Sequence, residues 1–195
     1  MKRLTGSENF IFGDMSIGKI LSDFWAWNSS DLLNNTLRGA LAEFIVATAL
    51  NIDTEVCRKD WAAYDLETSS GIRIEVKSSA YLQSWNTNRI SDIRFSIKPT
   101  RAWDVENSYS DEIKRQSDVY VFCLYASKIK EDTPLLLDRW EFYVLPTSTL
   151  DQRCGSQKTI SLNSLLSLNP TKADFNRLAV VVNSILSGDI TDIKN

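Results

Sequence analysis

Ala63-Tyr64-Asp65-Leu66-Glu67-Thr68-Ser69-Ser70-Gly71-Ile72-Arg73-Ile74-Glu75-Val76-Lys77 is the stretch on which the fold turns. Apolar and polar residues alternate on both sides of Ser69-Ser70-Gly71, the pattern of two half-buried strands, Ala63 to Leu66 and Ile72 to Lys77, joined by a hairpin loop. With the turn centred on Ser70, residues whose numbers sum to 140 lie opposite one another. Leu66 then faces Ile74 and Tyr64 faces Val76, giving a self-consistent apolar face. The same register sets Asp65 against Glu75 and Ala63 against Lys77, at cross-strand Cα separations of about 4.5 to 5.5 Å. Two carboxylates so placed repel, and a divalent cation between them turns repulsion into ligation by hard oxygen donors. Lys77, two residues beyond Glu75, points to the same face about 6.5 to 7 Å further along the strand. Its ammonium is placed to orient a water or stabilise a phosphate in phosphoryl transfer. A solvated strand lysine is the plainer alternative.

Upstream, a helix is expected to start near Asn34 to Thr36, capped by Asn35. A stripe of Leu37, Ala40, Leu41, Phe44, Ile45 and Thr48 carries it to about Leu50. Glu43 is the sole charged residue between Gly39 and Leu50 and shares a row with Ala40, Ala47 and Leu50. A carboxylate held against an apolar contact surface needs a partner. A shared cation supplies one, and a place on the rim is the alternative. An earlier helix is read over Ile17 to Trp27 from the spacing of Ile17, Ile20, Leu21 and Phe24. Downstream, Ile93 to Ile97, Asp118 to Tyr125 and Trp140 to Leu145 read as strands, the second continuous enough for the sheet centre. Pro146 stops the last of these, with Thr147 or Ser148 capping a short helix. A terminal helix follows from about Lys172 to Leu186, ended by Gly188. The chain thus reads as one α/β domain over 1–195, with a mixed sheet of about five strands.

Arg38-Gly39-Ala40-Leu41-Ala42-Glu43-Phe44, then Tyr64-Asp65, then Ile74-Glu75-Val76-Lys77-Ser78 resembles the PD-(D/E)XK, or restriction-endonuclease-like, superfamily. The resemblance matches Glu43 to the helix acid, Asp65 and Glu75 to the two core acids, and Lys77 to the core lysine. Tyr64 stands where the motif has proline. It implies a three-layer sandwich with helices flanking the sheet, and Mg²⁺ (Mn²⁺ as substitute) held by Glu43, Asp65 and Glu75. The implied activity is an endonuclease that hydrolyses DNA phosphodiesters with metal-activated water. RNA as substrate stays open, as does a non-cleaving nucleic-acid-binding or assembly module of the same fold.

Composition narrows the chemistry further. There is no histidine among the 195 residues, which removes His-metal sites, histidine general bases and Ser-His or Cys-His nucleophile pairs. Three scattered cysteines, Cys57, Cys123 and Cys154, support neither a disulfide framework nor a CxxC metal site, and read as buried thiols. Apolar runs are too short to span a bilayer, and the start of the chain lacks the pattern of a signal peptide, so a cytoplasmic location is expected.

The formal net charge of −3 excludes indiscriminate coating of nucleic acid. Between Lys77 and Arg101, however, the local balance is +4. From Trp85 to Trp103, Arg89, Arg94, Lys98 and Arg101 interleave with the two tryptophans, a composition suited to gripping phosphates and stacking bases. Buried tryptophans beside solvated cations are the competing reading. A homodimer is an open expectation, with the Trp25-Ala26-Trp27 end of the first helix either an interface or part of the core.

Overall fold

In the computed structural model, residues 2–58, 62–85, 89–104 and 108–186 are described, with the backbone alone over 102–104 and 108–111. The chain opens with a hairpin, β1 (Asn9–Phe12) and β2 (Met15–Ile20), followed by α1 (Leu21–Ser29) and α2 (Asn35–Ala49). Next come β3 (Leu66–Glu67), β4 (Arg73–Ala80), β5 (Arg94–Ser96), the hairpin β6 (Thr100–Asp104) and β7 (Ser108–Lys114), and β8 (Val119–Tyr125). The final part holds β9 (Trp140–Pro146), α3 (Thr147–Cys154), β10 (Thr159–Ser161), α4 (Leu162–Leu166), β11 (Thr171–Ala173) and α5 (Leu178–Ser184).

Val119 to Tyr125 is apolar at every position because β8 lies between two cores. Val119, Val121, Cys123 and Tyr125 enter one cluster with Ala42, Ile45 and Val46 of α2 and with Leu178, Val181 and Val182 of α5. Tyr120, Phe122 and Leu124 enter the other, with Phe95 of β5, Leu150 of α3, Ile160 of β10 and Leu165 of α4. A strand covered on both faces shows no alternation, as its sequence suggested. The central sheet has the order β11-β9-β8-β4-β3. Only β4 and β8 pair in parallel; the other neighbours are antiparallel, so the five-stranded sheet is mixed. Helices α2 and α5 cover one face. On the other, a β5–β10 ribbon stands with α3 and α4. Buried Arg115 fastens that layer, donating to the Ile97 and Gly155 carbonyls, each at 2.9 Å, and to Asp151 at 2.6 Å.

Several expectations change in detail. Ile17 to Ile20 belong to β2 rather than to a helix: Gly18 sits at φ +75°, and the chain turns helical only at Leu21, where Asp23 accepts the Ile20 N–H at 3.0 Å. Asn34, not Asn35, caps α2, accepting from the N–H groups of Thr36 and Leu37. The strand expected over Ala63 to Leu66 shrinks to Leu66–Glu67. Residues 93–97 leave the central sheet to pair with β10, and the fifth strand is β11. Lys172 lies on that strand, opposite Tyr143, and the terminal helix starts only at Leu178. Pro146 occupies the N-cap of α3, with Thr147 already helical. Cys57 is exposed and Cys154 half-buried, so Cys123 alone is the buried thiol. Gly188 lies outside the described residues. None of the described helices is long and apolar enough to cross a membrane.

Candidate active site

The hairpin register is the one the sequence implies, with Leu66 opposite Ile74 and Glu67 opposite Arg73. Beyond Leu66 the backbone ladder stops. Continued, it would give the Val76 N–H to the carbonyl of residue 64. Instead Asp65 Oδ2 accepts that N–H at 2.7 Å, while the Asp65 N–H bonds the Ile74 carbonyl at 3.1 Å. Asp65 therefore sits at the free edge of β4 rather than within a strand, its carboxylate replacing a backbone partner. Tyr64 and Ala63 do not pair with Val76 and Lys77 as the extended hairpin required.

Glu75 and Lys77 project from one face of β4, beside Tyr120 and Phe122 in the parallel register with β8. Lys77 Nζ lies 2.5 Å from Glu75 Oε1 and 3.8 Å from Asp65 Oδ2. All three side chains are mostly enclosed, exposed by 26% for Lys77, 22% for Asp65 and 20% for Glu75. Burial and the neighbouring Glu75 charge raise the Asp65 pKa above the ordinary carboxylate value, against the opposing pull of Lys77, the Val76 N–H and Arg58. Burial favours a neutral Lys77, but the charges of Glu75, Asp65 and Glu43 outweigh it and hold the ammonium above its usual pKa. The amine is thus a fixed cation between two acids. Burial and Glu75 also raise the Tyr120 hydroxyl, which stays neutral.

Glu43 projects from α2, close enough for its charge to act on Lys77. Its two oxygens are taken by Arg58 in a bidentate pair, Nε to Oε2 at 2.5 Å and Nη2 to Oε1 at 2.9 Å. Arg58 had no part in the sequence reading. The available signal was the basic pair Arg58-Lys59 ahead of Asp65, in a stretch without periodicity. Among the described residues, no group of three or more Asp, Glu or Cys side chains is arranged to hold a metal ion. The donor set that does converge is Asp65 with Glu75, and Mg²⁺ commonly binds through one or two carboxylates while keeping several waters. Two crowded acids with spare oxygen lone pairs fit such an ion. Glu67, the other acid of the hairpin, accepts the Tyr64 hydroxyl and is exposed, away from this cluster.

The four cations of the basic segment are placed at the surface. Arg94 is the exposed neighbour of buried Phe95 on β5, Lys98 follows that strand, Arg101 lies on β6, and Arg89 precedes them. Among the described residues none of the four is in an ion pair, so their charge faces solvent. Trp85 is 67% exposed, and the side chain of Trp103 lies outside the described residues.

A search of curated proteins finds no match to this chain. A family model of bacteriophage T4 endonuclease IV matches residues 17–164, from β2 through α4. That span takes in Glu43, Arg58, the Asp65-Glu75-Lys77 cluster and the whole basic segment. Matched over more than half its length, the chain belongs to the bacteriophage T4 endonuclease IV family and is a nuclease.

Proposed function

We propose that the protein is a Mg²⁺-dependent endonuclease that hydrolyses DNA phosphodiester bonds at a PD-(D/E)XK site on a restriction-endonuclease-like fold. One observation carries this reading: Lys77 stands within 4 Å of two half-buried carboxylates from adjoining segments, Glu75 and Asp65. The helix–hairpin–E-x-K order and the parallel β4–β8 centre of the sheet are consistent with it.

Asp65 and Glu75 would hold the ion, with Glu43 joining on release from Arg58. The bound metal would supply a water of lowered pKa and a Lewis acid for the phosphate. The remaining work falls to the chain. The Val76 N–H fixes one Asp65 oxygen and so aims the other. Lys77, held protonated by its acidic neighbours, presents N–H donors to an attacking water or to charge developing on the phosphate. With no histidine in the chain, no imidazole general base operates. The exposed cations Arg89, Arg94, Lys98 and Arg101 engage the backbone phosphates.

Incubating the full chain with labelled DNA and labelled RNA, with Mg²⁺ or with EDTA, tests the proposal. Cleavage of DNA dependent on Mg²⁺ or Mn²⁺, and lost in Lys77→Ala, is expected. Undiminished cleavage in EDTA would remove the metal, and cleavage of RNA alone would replace the substrate.

A further inference from the structure

Residues 2–30 form a unit that the central core does not hold, tied to the rest of the chain through the exposed Arg3–Glu55 ion pair. No residue of β1, β2 or α1 is buried. Among the described residues, the substantial contacts of these three elements are with one another. The unit is organised by polar caps: the N–H groups of Leu21 and Ser22 bond the carbonyls of Glu8 and Gly6, each at 2.9 Å. The Glu8 carboxylate accepts the N–H groups of Thr5 and Gly6. Gly6, at φ +93°, lies against the Trp25 ring, where a Cβ would come within 2.9 Å. A two-stranded hairpin and a nine-residue helix are each marginal in water without an apolar surface to cover them.

What the unit shows to solvent is hydrophobic. Phe12 is 80% exposed, Trp27 82%, Met15 73%, Ile11 66% and Ile17 61%, with Phe10, Phe24 and Trp25 near 40%. At roughly 200 Å² for a whole large side chain, these fractions leave on the order of 1000 Å² of apolar surface. A soluble monomer's largest patch is typically about 300 to 600 Å², and a stable dimer buries about 800 Å² per partner. Between the hairpin and α1 runs a groove of about 350 Å³, walled by Phe10, Ile17, Phe24 and Trp27, with Lys19 and Asp23 as its charged members.

We infer that the N-terminal hairpin–helix arm is the dimerisation element of this protein, packing against the same arm of a second copy across a two-fold axis. Charge selects this occupant. The hairpin and helix carry Asp14, Lys19 and Asp23, a net −1, which suits neither a phosphate backbone nor an anionic membrane. One cation and one anion in a single apolar groove are self-complementary under two-fold symmetry, where every contact occurs twice: Lys19 faces Asp23 of the partner subunit, and the reverse. The exposed area of one arm matches what each side of such a dimer buries.

Sedimentation of the full chain across the micromolar range tests this. The wild type is expected at twice the 22.1 kDa chain mass. Phe12→Ser with Trp27→Ser is expected at the monomer mass and still folded, since both side chains are already solvated within one chain, with a melting temperature that no longer rises with protein concentration as that of the wild type does. Lys19→Glu leaves the Asp23 cap in place but opposes like charges across the axis, and should weaken the dimer about tenfold or more. A monomeric wild type overturns the proposal, as does a dimer that survives the Phe12/Trp27 substitutions. DNA binding lost in that variant while the wild type stays monomeric would reassign the arm to nucleic acid and overturn it equally. None of these readouts depends on cleavage.

Discussion

The Val76 backbone N–H donates to Asp65 Oδ2 at 2.7 Å, so one side chain both ends the β3–β4 ladder and forms part of the acidic site. The two roles separate by substitution. Asp65→Asn keeps an acceptor for Val76 and loses the charge; Asp65→Ala loses both. Cleavage should fall by more than about 100-fold in each. Asp65→Ala should also be less stable than Asp65→Asn, by about 1 kcal/mol, for leaving an enclosed N–H unpaired. Equal denaturant midpoints would remove Asp65 from the support of the strand edge.

Lys77 holds Asp65 and Glu75 together in the absence of another cation. Lys77→Ala should lose about 100- to 1000-fold in turnover. It should also melt lower than wild type without metal, because two enclosed acids are left to repel. Added Mg²⁺ should raise its melting temperature more than it raises that of the wild type. Identical metal-induced shifts would argue that the acids do not share an ion.

Arg58 and a metal compete for Glu43 if Glu43 is a ligand. Arg58→Ala should then tighten Mn²⁺ binding by severalfold in calorimetry, and Glu43→Gln should weaken it. Unchanged affinity in both variants would leave Glu43 as a structural partner of Arg58 alone.

Arg94, Lys98 and Arg101 face solvent with no ion-pair partner among the described residues, so each is free to neutralise a phosphate. Replacing all three with Gln should reduce the slope of log K against log salt by about 2 to 3 units on duplex DNA. An unaltered slope would clear this segment of any part in binding.

Asp118 pins the start of β8 to β4, accepting from the Arg73 N–H at 2.9 Å and from its guanidinium at 3.0 and 2.5 Å. These bonds hold the Asp118 pKa below the ordinary carboxylate value. A depressed carboxylate adds stability above its unfolded pKa of about 3.9, and that stability is lost as pH falls through the folded value. Asp118→Asn should therefore cost about 1 kcal/mol near neutrality, with the gap to wild type closing in acid below about pH 3.9. A gap that persisted in acid would assign the effect to packing.

The centre of the protein was legible in its sequence, and its periphery less so. Val119 to Tyr125 announced a doubly covered strand, and the alternation around Ser70 fixed a register that the structure keeps at Leu66 and Ile74. That register also pointed Asp65 towards Glu75 and Lys77, and the structure brings the three side chains together, but with Asp65 placed by the Val76 N–H rather than by strand pairing. The end of the ladder at Asp65 was hidden, because it depends on a side chain outcompeting a backbone carbonyl for one N–H. Arg58 was hidden too: a pair fifteen residues apart, one member on a helix and the other in a segment without periodicity, leaves no pattern. At the N-terminus, Ile17, Ile20, Leu21 and Phe24 satisfy a helical face by spacing, yet Gly18 and the pairing of β1 with β2 divert the first two. Lys172 was drawn into a helix because three residues on an edge strand carry too short a rhythm to read.

The parallel alignment of β4 with β8 has a further consequence, for the order in which the molecule assembles. Ala80 and Val119 are separated by the whole excursion of β5, β6 and β7, so the strand bearing Glu75 and Lys77 gains its inner neighbour only after a long segment has closed on itself. Closure of that kind is entropically demanding and slows folding. During refolding, competence to cut should emerge with the last kinetic phase, well after α2 and the local β3–β4 turn have formed, leaving a newly made chain inert until its sheet is complete.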